Sequence, residues 1–303
     1  MKHFLDLADW SSTDLRHMIR LAQQIRLEWE SGGNRPVLGG KTLGMIFQKP
    51  SLRTRVSFDV GMKHLGGYAI YMGPDEIGLG KRESIADVSR VLSGMVQGIM
   101  ARVFDHAHVT ELAKWADVPV INGLSDDSHP CQAMADILTI IDHFGHSDGL
   151  HLTYIGDGNN VARSLLLICA HFGVHYTIAS PKGYELPQIT VDTAKGINPN
   201  IEINLLHDTN EAAEGADILY TDTWVSMGQE AEATQRVDAF SDYQINQQLL
   251  QRAARHAIVM HDLPAYRGKE ITDEVADGPQ SVLFKQAANR LHAQKAILVT
   301  LMS

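Results

Sequence analysis

Ser51-Leu52-Arg53-Thr54-Arg55, directly after Leu43-Gly44-Met45-Ile46-Phe47 and the link Gln48-Lys49-Pro50, decides the reading of this chain. The apolar run has the character of a buried strand. The residues beyond the quintet, Val56, Phe58, Met62 and Leu65, recur at helical spacing. A strand that turns into a helix leaves unsatisfied N–H groups in the first helical turn, at the positive end of the helix dipole. That arrangement is an anion site. Here it also carries two hydroxyls and two guanidiniums, and a guanidinium fork matches the oxygens of a phosphate. A capped helix with solvated arginines would account for one hydroxyl and one arginine. Two of each on one helix start favour phosphate.

The same alternation extends in both directions. Upstream, residues 12–31 form a helix: Ser12 caps it, Leu15, Met18, Ile19, Ala22, Ile25 and Trp29 share one face, and Gly32-Gly33 end it. Downstream, strands are expected at 43–47, 68–72, 98–103 and 119–124, with helices at 54–65, 84–95, 106–116 and 131–143. The polar stretch Gly145-His146-Ser147-Asp148-Gly149 marks a boundary. A second series follows, with strands at 151–156, 175–179, 216–221 and 257–261 and helices near 160–172, 243–254 and 281–302. The pattern is α/β, two doubly wound parallel-sheet domains. Ligands of such sheets bind beyond the carboxyl ends of the strands.

Bulk properties narrow the function. A chain of 303 residues with 44% hydrophobic content suits two cores. A formal net charge of -10 argues against nucleic acid as a partner. An anionic substrate must then be held by local cations, which directs attention to Arg53 and Arg55. Two cysteines, Cys131 and Cys169, make no disulfide framework and point to a reducing compartment. The first residues lack the apolar core of a secretory signal, and no apolar run is long enough to span a bilayer. The expectation is a cytoplasmic protein without a membrane partner.

Polar clusters follow the strands. Arg102 ends Ile99-Met100-Ala101. His129 and Gln132, in Ser128-His129-Pro130-Cys131-Gln132, lie one helical turn apart and suit a carbonyl oxygen and an amide; a cap and turn would explain His129-Pro130 alone. Gly156-Asp157-Gly158-Asn159-Asn160 mimics the start of a dinucleotide fingerprint, but Val161 replaces the third glycine. Its asparagines suit an amino-acid carboxylate or amide. Asp222, in Asp222-Thr223-Trp224-Val225-Ser226-Met227-Gly228, can pair with a substrate ammonium, with Trp224 and Met227 as an exposed apolar pair on a binding loop. Its alternative role is an N-cap. In His261-Asp262-Leu263-Pro264, Leu263 is expected to be extended before the proline, leaving its carbonyl to accept. Arg290 taken alone is a surface arginine on the last helix.

Taken in order, these motifs resemble the ornithine branch of the aspartate/ornithine carbamoyltransferase family, over residues 2 to 303. The family's S-T-R-T-R corresponds to residues 51–55, its H-P-x-Q to 129–132, G-D-G-N-N to 156–160, D-x-W-x-S-M-G to 222–228, and E-N-R-x-H to 288–292, where Ala288 replaces the glutamate. The resemblance implies transfer of a carbamoyl group from carbamoyl phosphate to L-ornithine, giving citrulline and phosphate, within arginine metabolism. No metal or organic cofactor is implied. Ser51, Leu52, Arg53, Thr54, Arg102, His129, Gln132, Leu263 and Arg290 would hold carbamoyl phosphate. Thr54, Arg102 and His129 would polarise its carbonyl, and Gln132 with the Leu263 carbonyl would hold its NH2. Asn160, Asp222, Ser226 and Met227 would bind ornithine. Residues 1–145 with 286–303 would form the carbamoyl-phosphate domain and 146–285 the ornithine domain, with the last helix returning to the first. A homotrimer with interfacial active sites is also implied.

Two further departures from the family matter. Asp262 stands where relatives carry cysteine in H-C-L-P, and it is expected near Asp222 as a proton or hydrogen-bond acceptor for the δ-amine; the opposite outcome is that it impairs ornithine binding. Gly78 stands where many relatives carry a glutamine that reaches a neighbouring subunit's site. Lys81 or Arg82 is the expected substitute, although a solvated loop pair is the plainer reading. The alternatives kept open are a different amine acceptor, a non-catalytic carbamoyl-phosphate-binding homologue permitted by Asp262, and a nicotinamide oxidoreductase built on Gly156-Asp157-Gly158.

Overall fold

A computed structural model describes residues 2–226 and 228–303. The chain divides into two compact units, Met1–Leu138 with Ala288–Ser303, and Thr139–Ala287. The first contains α1 (Ser12–Glu30), β1 (Thr42–Phe47), α2 (Leu52–His64), β2 (Tyr68–Met72), α3 (Pro74–Ile77), α4 (Ile85–Ser93), β3 (Gly98–Arg102), α5 (His106–Trp115), β4 (Val120–Leu124) and the start of α6 (Pro130–Phe144). The second contains β5 (His151–Ile155), α7 (Asn160–Phe172), β6 (His175–Ala179), α8 (Gln188–Ile197), β7 (Ile203–Leu206), α9 (Thr209–Ala213), β8 (Ile218–Thr221), α10 (Ala233–Phe240), α11 (Gln247–Leu250), β9 (Ile258–His261) and α12 (Asp273–Ala276). The last helix, α13 (Leu283–Met302), begins in the second unit and ends in the first. The division falls inside α6, ahead of the glycine-rich turn at 145–149, because this helix runs unbroken across it.

Both sheets are parallel. The first runs β2-β1-β3-β4 and the second β7-β6-β5-β8-β9. Strands β3 and β4 are buried throughout, as sheets covered on both faces require. In the first unit Ile46, Val88, Ile99, Val109 and Leu112 form a core beneath α4 and α5. In the second, Ile155, Leu219, Phe240, Val259 and Leu283 do the same. Each order reverses direction at one place, between β1 and β3 and between β5 and β8. At such a reversal ligands of doubly wound sheets bind beyond the carboxyl ends of the strands.

The alternation over 43–143 and at 151–179 matches the elements closely. The expected helix at 243–254 shrinks to α11, four residues long. The backbone beyond it is drawn to the neighbouring strand instead: Gly215 N–H donates to the Arg252 carbonyl, Ala254 N–H to Ala216 and Ile258 N–H to Asp217. Strand β7 and helix α8 escape the periodicity. The strand is short and half-exposed, and the helix carries β-branched Ile189, Thr190 and Val191 in its first turn. No described helix is long and apolar enough to cross a membrane.

Candidate active site

The first unit gathers its cations at the β1–β3 switch point. Ser51 caps α2, its Oγ accepting the Thr54 amide at 3.3 Å. One turn into the helix Thr54 is fully buried. Register pairs Phe47 with Arg102, so β3 delivers Arg102 beside the end of β1. A shift in pairing between Ala101 and Arg102 against β4 turns the strand there, a common device for aiming a side chain. Arg102 Nη1 donates to Thr54 Oγ1 at 3.3 Å, and Arg290 Nη2, from α13, donates to the same oxygen at 3.0 Å. A hydroxyl has two acceptor lone pairs and one proton. Both lone pairs of Thr54 are engaged by guanidinium N–H groups, so its proton is left to donate outward. Arg290, a surface arginine by sequence alone, is 2% exposed.

His129 stands just before α6, its carbonyl accepting the Gln132 and Ala133 amides. Burial first, then Arg290, Arg102, Lys49 and Arg53, hold its imidazole well below the ordinary histidine range. The ring is therefore neutral, a hydrogen-bonding group with no charge to place among the arginines. Gln132 accepts from Arg290 through Oε1 and donates to Asp136 at 2.8 Å. The loop ahead of His129 is tied down by Asn122, whose Nδ2 donates to Ser128 Oγ at 3.0 Å and to the Leu5 carbonyl at 3.0 Å. Cys131, within the same motif, is buried, and burial pushes its thiol up to about 12.

The two arginines of the opening quintet separate. Arg53 is half-buried and contributes to the field at His129. Arg55 is exposed and lies over Tyr71, 3.9 Å from the ring centroid, so it is not part of the cationic cluster. Leu52, 74% exposed, offers only its backbone. Lys49 is a cation that the sequence reading passes over. It is 8% exposed, and burial, with Arg102 adding, pushes its ammonium down to about 8 against the pull of Asp126. A lysine two residues before the motif gave no periodic signal. Lys81 and Arg82 are exposed on the loop after α3. Gly78 ends that helix at φ 53°, and a Cβ there would stand 2.7 Å from Arg82 Cβ.

In the second unit the polar groups line the β5–β8 switch point. Asn159 caps α7: its Oδ1 accepts the Val161 and Ala162 amides, and its Nδ2 donates to Asp222 Oδ2 at 3.2 Å. Asn160, the first helical residue, is half-buried. Gly158 has no room for a side chain, since a Cβ would stand 2.4 Å from the Leu186 nitrogen. Register sets Thr221 against His261, so the next residues, Asp222 and Asp262, leave adjacent strands side by side. Burial and then the Asp262 carboxylate raise Asp222 to about 7, opposed by His261, the Thr223 amide and Asn159. The hydroxyl of buried Tyr154 has no hydrogen-bond partner among the described residues, and burial, with the Asp222 and Asp262 carboxylates adding, pushes its phenol well above the ordinary tyrosine range.

Two expectations change here. Trp224 is 5% exposed and stacks on Phe240 at 6.2 Å, because α10 supplies the ring that covers it. Arg236 on α10, unremarked in the sequence, holds the loop: its Nη1 donates to Asp157 Oδ2 at 2.7 Å and to the Trp224 carbonyl at 3.2 Å. Leu263 is not extended. It takes a left-handed φ of 62° with a cis bond to Pro264, and its N–H donates to His261 Nδ1 at 2.8 Å. His261 in turn faces the buried Glu270 carboxylate through Nε2 at 3.1 Å. Ser226 is half-buried, its amide donating to Gln229 Oε1 at 3.0 Å. Met227 lies outside the described residues.

Similarity to known proteins identifies the family. Residues 2–142 match the family model described as the carbamoyl-P binding domain of aspartate/ornithine carbamoyltransferase, and residues 148–301 the model of its Asp/Orn binding domain. An ornithine carbamoyltransferase of Anoxybacillus flavithermus is 50% identical over 99% of this chain and 96% of its own length. The solved ornithine carbamoyltransferase of Pyrococcus furiosus is 47% identical, with a TM-score of 0.97 over 99% of this chain and 97% of that one. That of Thermus thermophilus is 40% identical, with a TM-score of 0.91 over 100% and 99%. With two parallel sheets and a family model matched by each half, the chain belongs to the aspartate/ornithine carbamoyltransferase family.

Proposed function

We propose that the protein transfers the carbamoyl group of carbamoyl phosphate to the δ-amine of L-ornithine, giving L-citrulline and phosphate. The observation that carries this reading is the doubly accepting Thr54 hydroxyl, held by Arg102 and Arg290. In the proposed reaction the neutral δ-nitrogen attacks the carbamoyl carbon, the C–O bond to phosphate breaks, and phosphate leaves with the electron pair. The amine proton passes to an acceptor. Arg53, Arg102 and Arg290 neutralise the phosphate, and Ser51 with the Leu52 and Arg53 amides that open α2 donates to it. Thr54, Arg102 and neutral His129 donate to the carbonyl oxygen as charge grows there. Gln132 Oε1 keeps one lone pair beyond the one that takes Arg290, and that pair with the Leu263 carbonyl accepts the carbamoyl NH2.

On the acceptor side, Asp222 binds the α-ammonium, with Asn160, Ser226 and Met227 around the α-carboxylate. Asp262 faces the δ-amine and receives or orients its proton. Residues 1–145 with 286–303 serve the donor and 146–285 the acceptor. The proposal includes a cytoplasmic location and a homotrimer. Leu52 and Val56, one turn apart on α2, and Tyr68 and Ile70 on edge strand β2 are all about half exposed or more, a set of apolar side chains suited to a second copy. Lys81 or Arg82 then contacts the donor phosphate across that interface.

The deciding assay is citrulline formation from carbamoyl phosphate and L-ornithine, with putrescine, N-acetylornithine and L-aspartate in parallel. Turnover confined to ornithine supports the proposal. Turnover of another amine moves the substrate assignment, and donor binding without any turnover makes the chain a binding homologue with Asp262 as the first residue to revert to cysteine. Light scattering that gives a monomer removes the trimer.

A further inference from the structure

The amino edge of the second sheet carries a row of imidazoles and carboxylates that carbamoyl transfer does not use. His151 opens β5 and His175 opens β6, and parallel register sets them directly opposite one another. Their ring centroids lie 4.7 Å apart at 31°. Glu202 precedes β7, the next strand outward, and its amide donates to His175 Nδ1 at 3.1 Å. One nitrogen from each histidine and a Glu202 oxygen all lie within 4.8 Å of one another. On the inner side, Asp217 accepts the His151 amide at 2.8 Å and faces His256 Nε2 at 2.7 Å, placing a second carboxylate one strand away.

We propose that His151, His175 and Glu202 form a binding site for a divalent transition metal of the zinc class, cross-linking β5, β6 and β7 away from the substrate site. Two imidazoles and a carboxylate are a ligand set that zinc, cobalt and nickel accept, with water completing the shell. Three adjacent strands of a hydrogen-bonded sheet fix the backbone spacing of the ligands. Donors around such an ion stand about 3.4 Å apart, so the trio must close inward. His151 and Glu202 are exposed and His175 half-buried, which leaves the first two free to rotate. Ligation displaces the bond between the Glu202 amide and His175 Nδ1, whichever nitrogen His175 offers. It also requires neutral imidazoles, so binding weakens in acid.

The test uses the full chain, stripped with a chelator and titrated with Co2+ by visible absorption and with Zn2+ by calorimetry near neutral pH. One equivalent per chain is expected, with zinc raising Tm and leaving carbamoyl transfer unchanged. His151→Gln, His175→Gln and Glu202→Gln should each weaken binding about tenfold or more and abolish the Tm rise. Absence of binding below millimolar metal overturns the proposal. So does binding that survives both histidine substitutions, and a metal that inhibits while still binding those variants sits at the acceptor carboxylates instead.

Discussion

Arg290 donates to the hydroxyl of Thr54 at 3.0 Å although 236 positions separate the two in the chain. With Arg102 on the same oxygen, the hydroxyl is fixed as a proton donor. Thr54→Val should therefore lower kcat by about a hundredfold to a thousandfold, the usual effect of losing one donor to a developing oxyanion. It also leaves two buried guanidiniums short of an acceptor, costing about 1–3 kcal/mol of stability. Thr54→Ser should recover most of both. Steady-state kinetics with a urea titration reads the two effects separately, and an unimpaired Thr54→Val removes the proposed role.

Lys49 should couple donor binding to a proton. Burial and Arg102 hold its ammonium at about 8, so much of the population is neutral in mildly alkaline solution. A bound dianion favours the charged form, and binding should take up a proton there. Phosphate affinity should fall as pH rises through about 8, and calorimetry in buffers of different ionisation enthalpy should register the uptake. Lys49→Met should bind phosphate more weakly and without that proton. For stability the sign is opposite: a lowered lysine value means the unfolded chain holds more protons from about 8 up to its ordinary value near 10.4, so this group favours folding as pH rises through that window.

Asp222 and Asp262 should set the acid side of the rate profile. Asp222 is raised to about 7 by burial and then by Asp262. It must be ionised to hold an ammonium, so activity should rise through neutrality. Asp262→Asn removes one cause, and the acid limb should move to lower pH. If Asp262 also accepts the δ-amine proton, the plateau should fall as well, and Asp262→Cys should restore part of it. A profile of Asp262→Asn that superimposes on wild type removes both roles. A raised carboxylate is protonated in the folded chain and ionised in the unfolded chain between about 4 and 7, so its contribution to stability is lost as pH rises through that range. Asp262→Asn should accordingly raise Tm more at pH 8 than at pH 5.

How much of this could be read from residues alone depends on how local the cause is. The turn from β1 into α2 is local: Ser51 caps the helix through Thr54, three residues on, and the pattern is visible in the quintet itself. The alternation of buried strands and helices is equally local. Arg290 is the opposite case, since its burial against Thr54 and Gln132 comes from a helix that closes the chain, and only family resemblance pointed to it. Trp224 looked like an exposed loop residue because Phe240, which covers it, belongs to another element. Leu263 departs from the usual geometry before proline because His261 Nδ1 takes its N–H within a tight turn. The expected helix at 243–254 failed because strand-start pairing captured its backbone.

Gly78 should resist conversion to the glutamine that many relatives carry. Its φ of 53° disfavours any Cβ, and that Cβ would stand 2.7 Å from Arg82 Cβ. Gly78→Gln should cost about 1–2 kcal/mol by denaturant titration and leave the KM for carbamoyl phosphate no better. Lys81→Ala and Arg82→Ala should raise that KM if either contacts the phosphate of a neighbouring copy. An unchanged KM in both identifies them as a solvated loop pair.

Arg236 should control acceptor affinity without touching donor affinity. Its guanidinium ties Asp157, in the loop after β5, to the Trp224 carbonyl, in the loop after β8, and both loops flank Asp222. The pair with Asp157 is nearly sequestered from water, with side-chain exposures of 8% and 10%. Removing one partner of such a pair leaves the other charge buried and uncompensated, at about 3–5 kcal/mol. Arg236→Ala should therefore lower stability by that order and raise the KM for ornithine, while carbamoyl phosphate binding in the other unit stays near wild type. Arg236→Ala with Asp157→Asn should regain part of the stability, because no lone charge remains, but not the ornithine KM, because the Trp224 carbonyl still lacks its donor. Equal loss of affinity for both substrates would show a general unfolding effect and remove the positioning role.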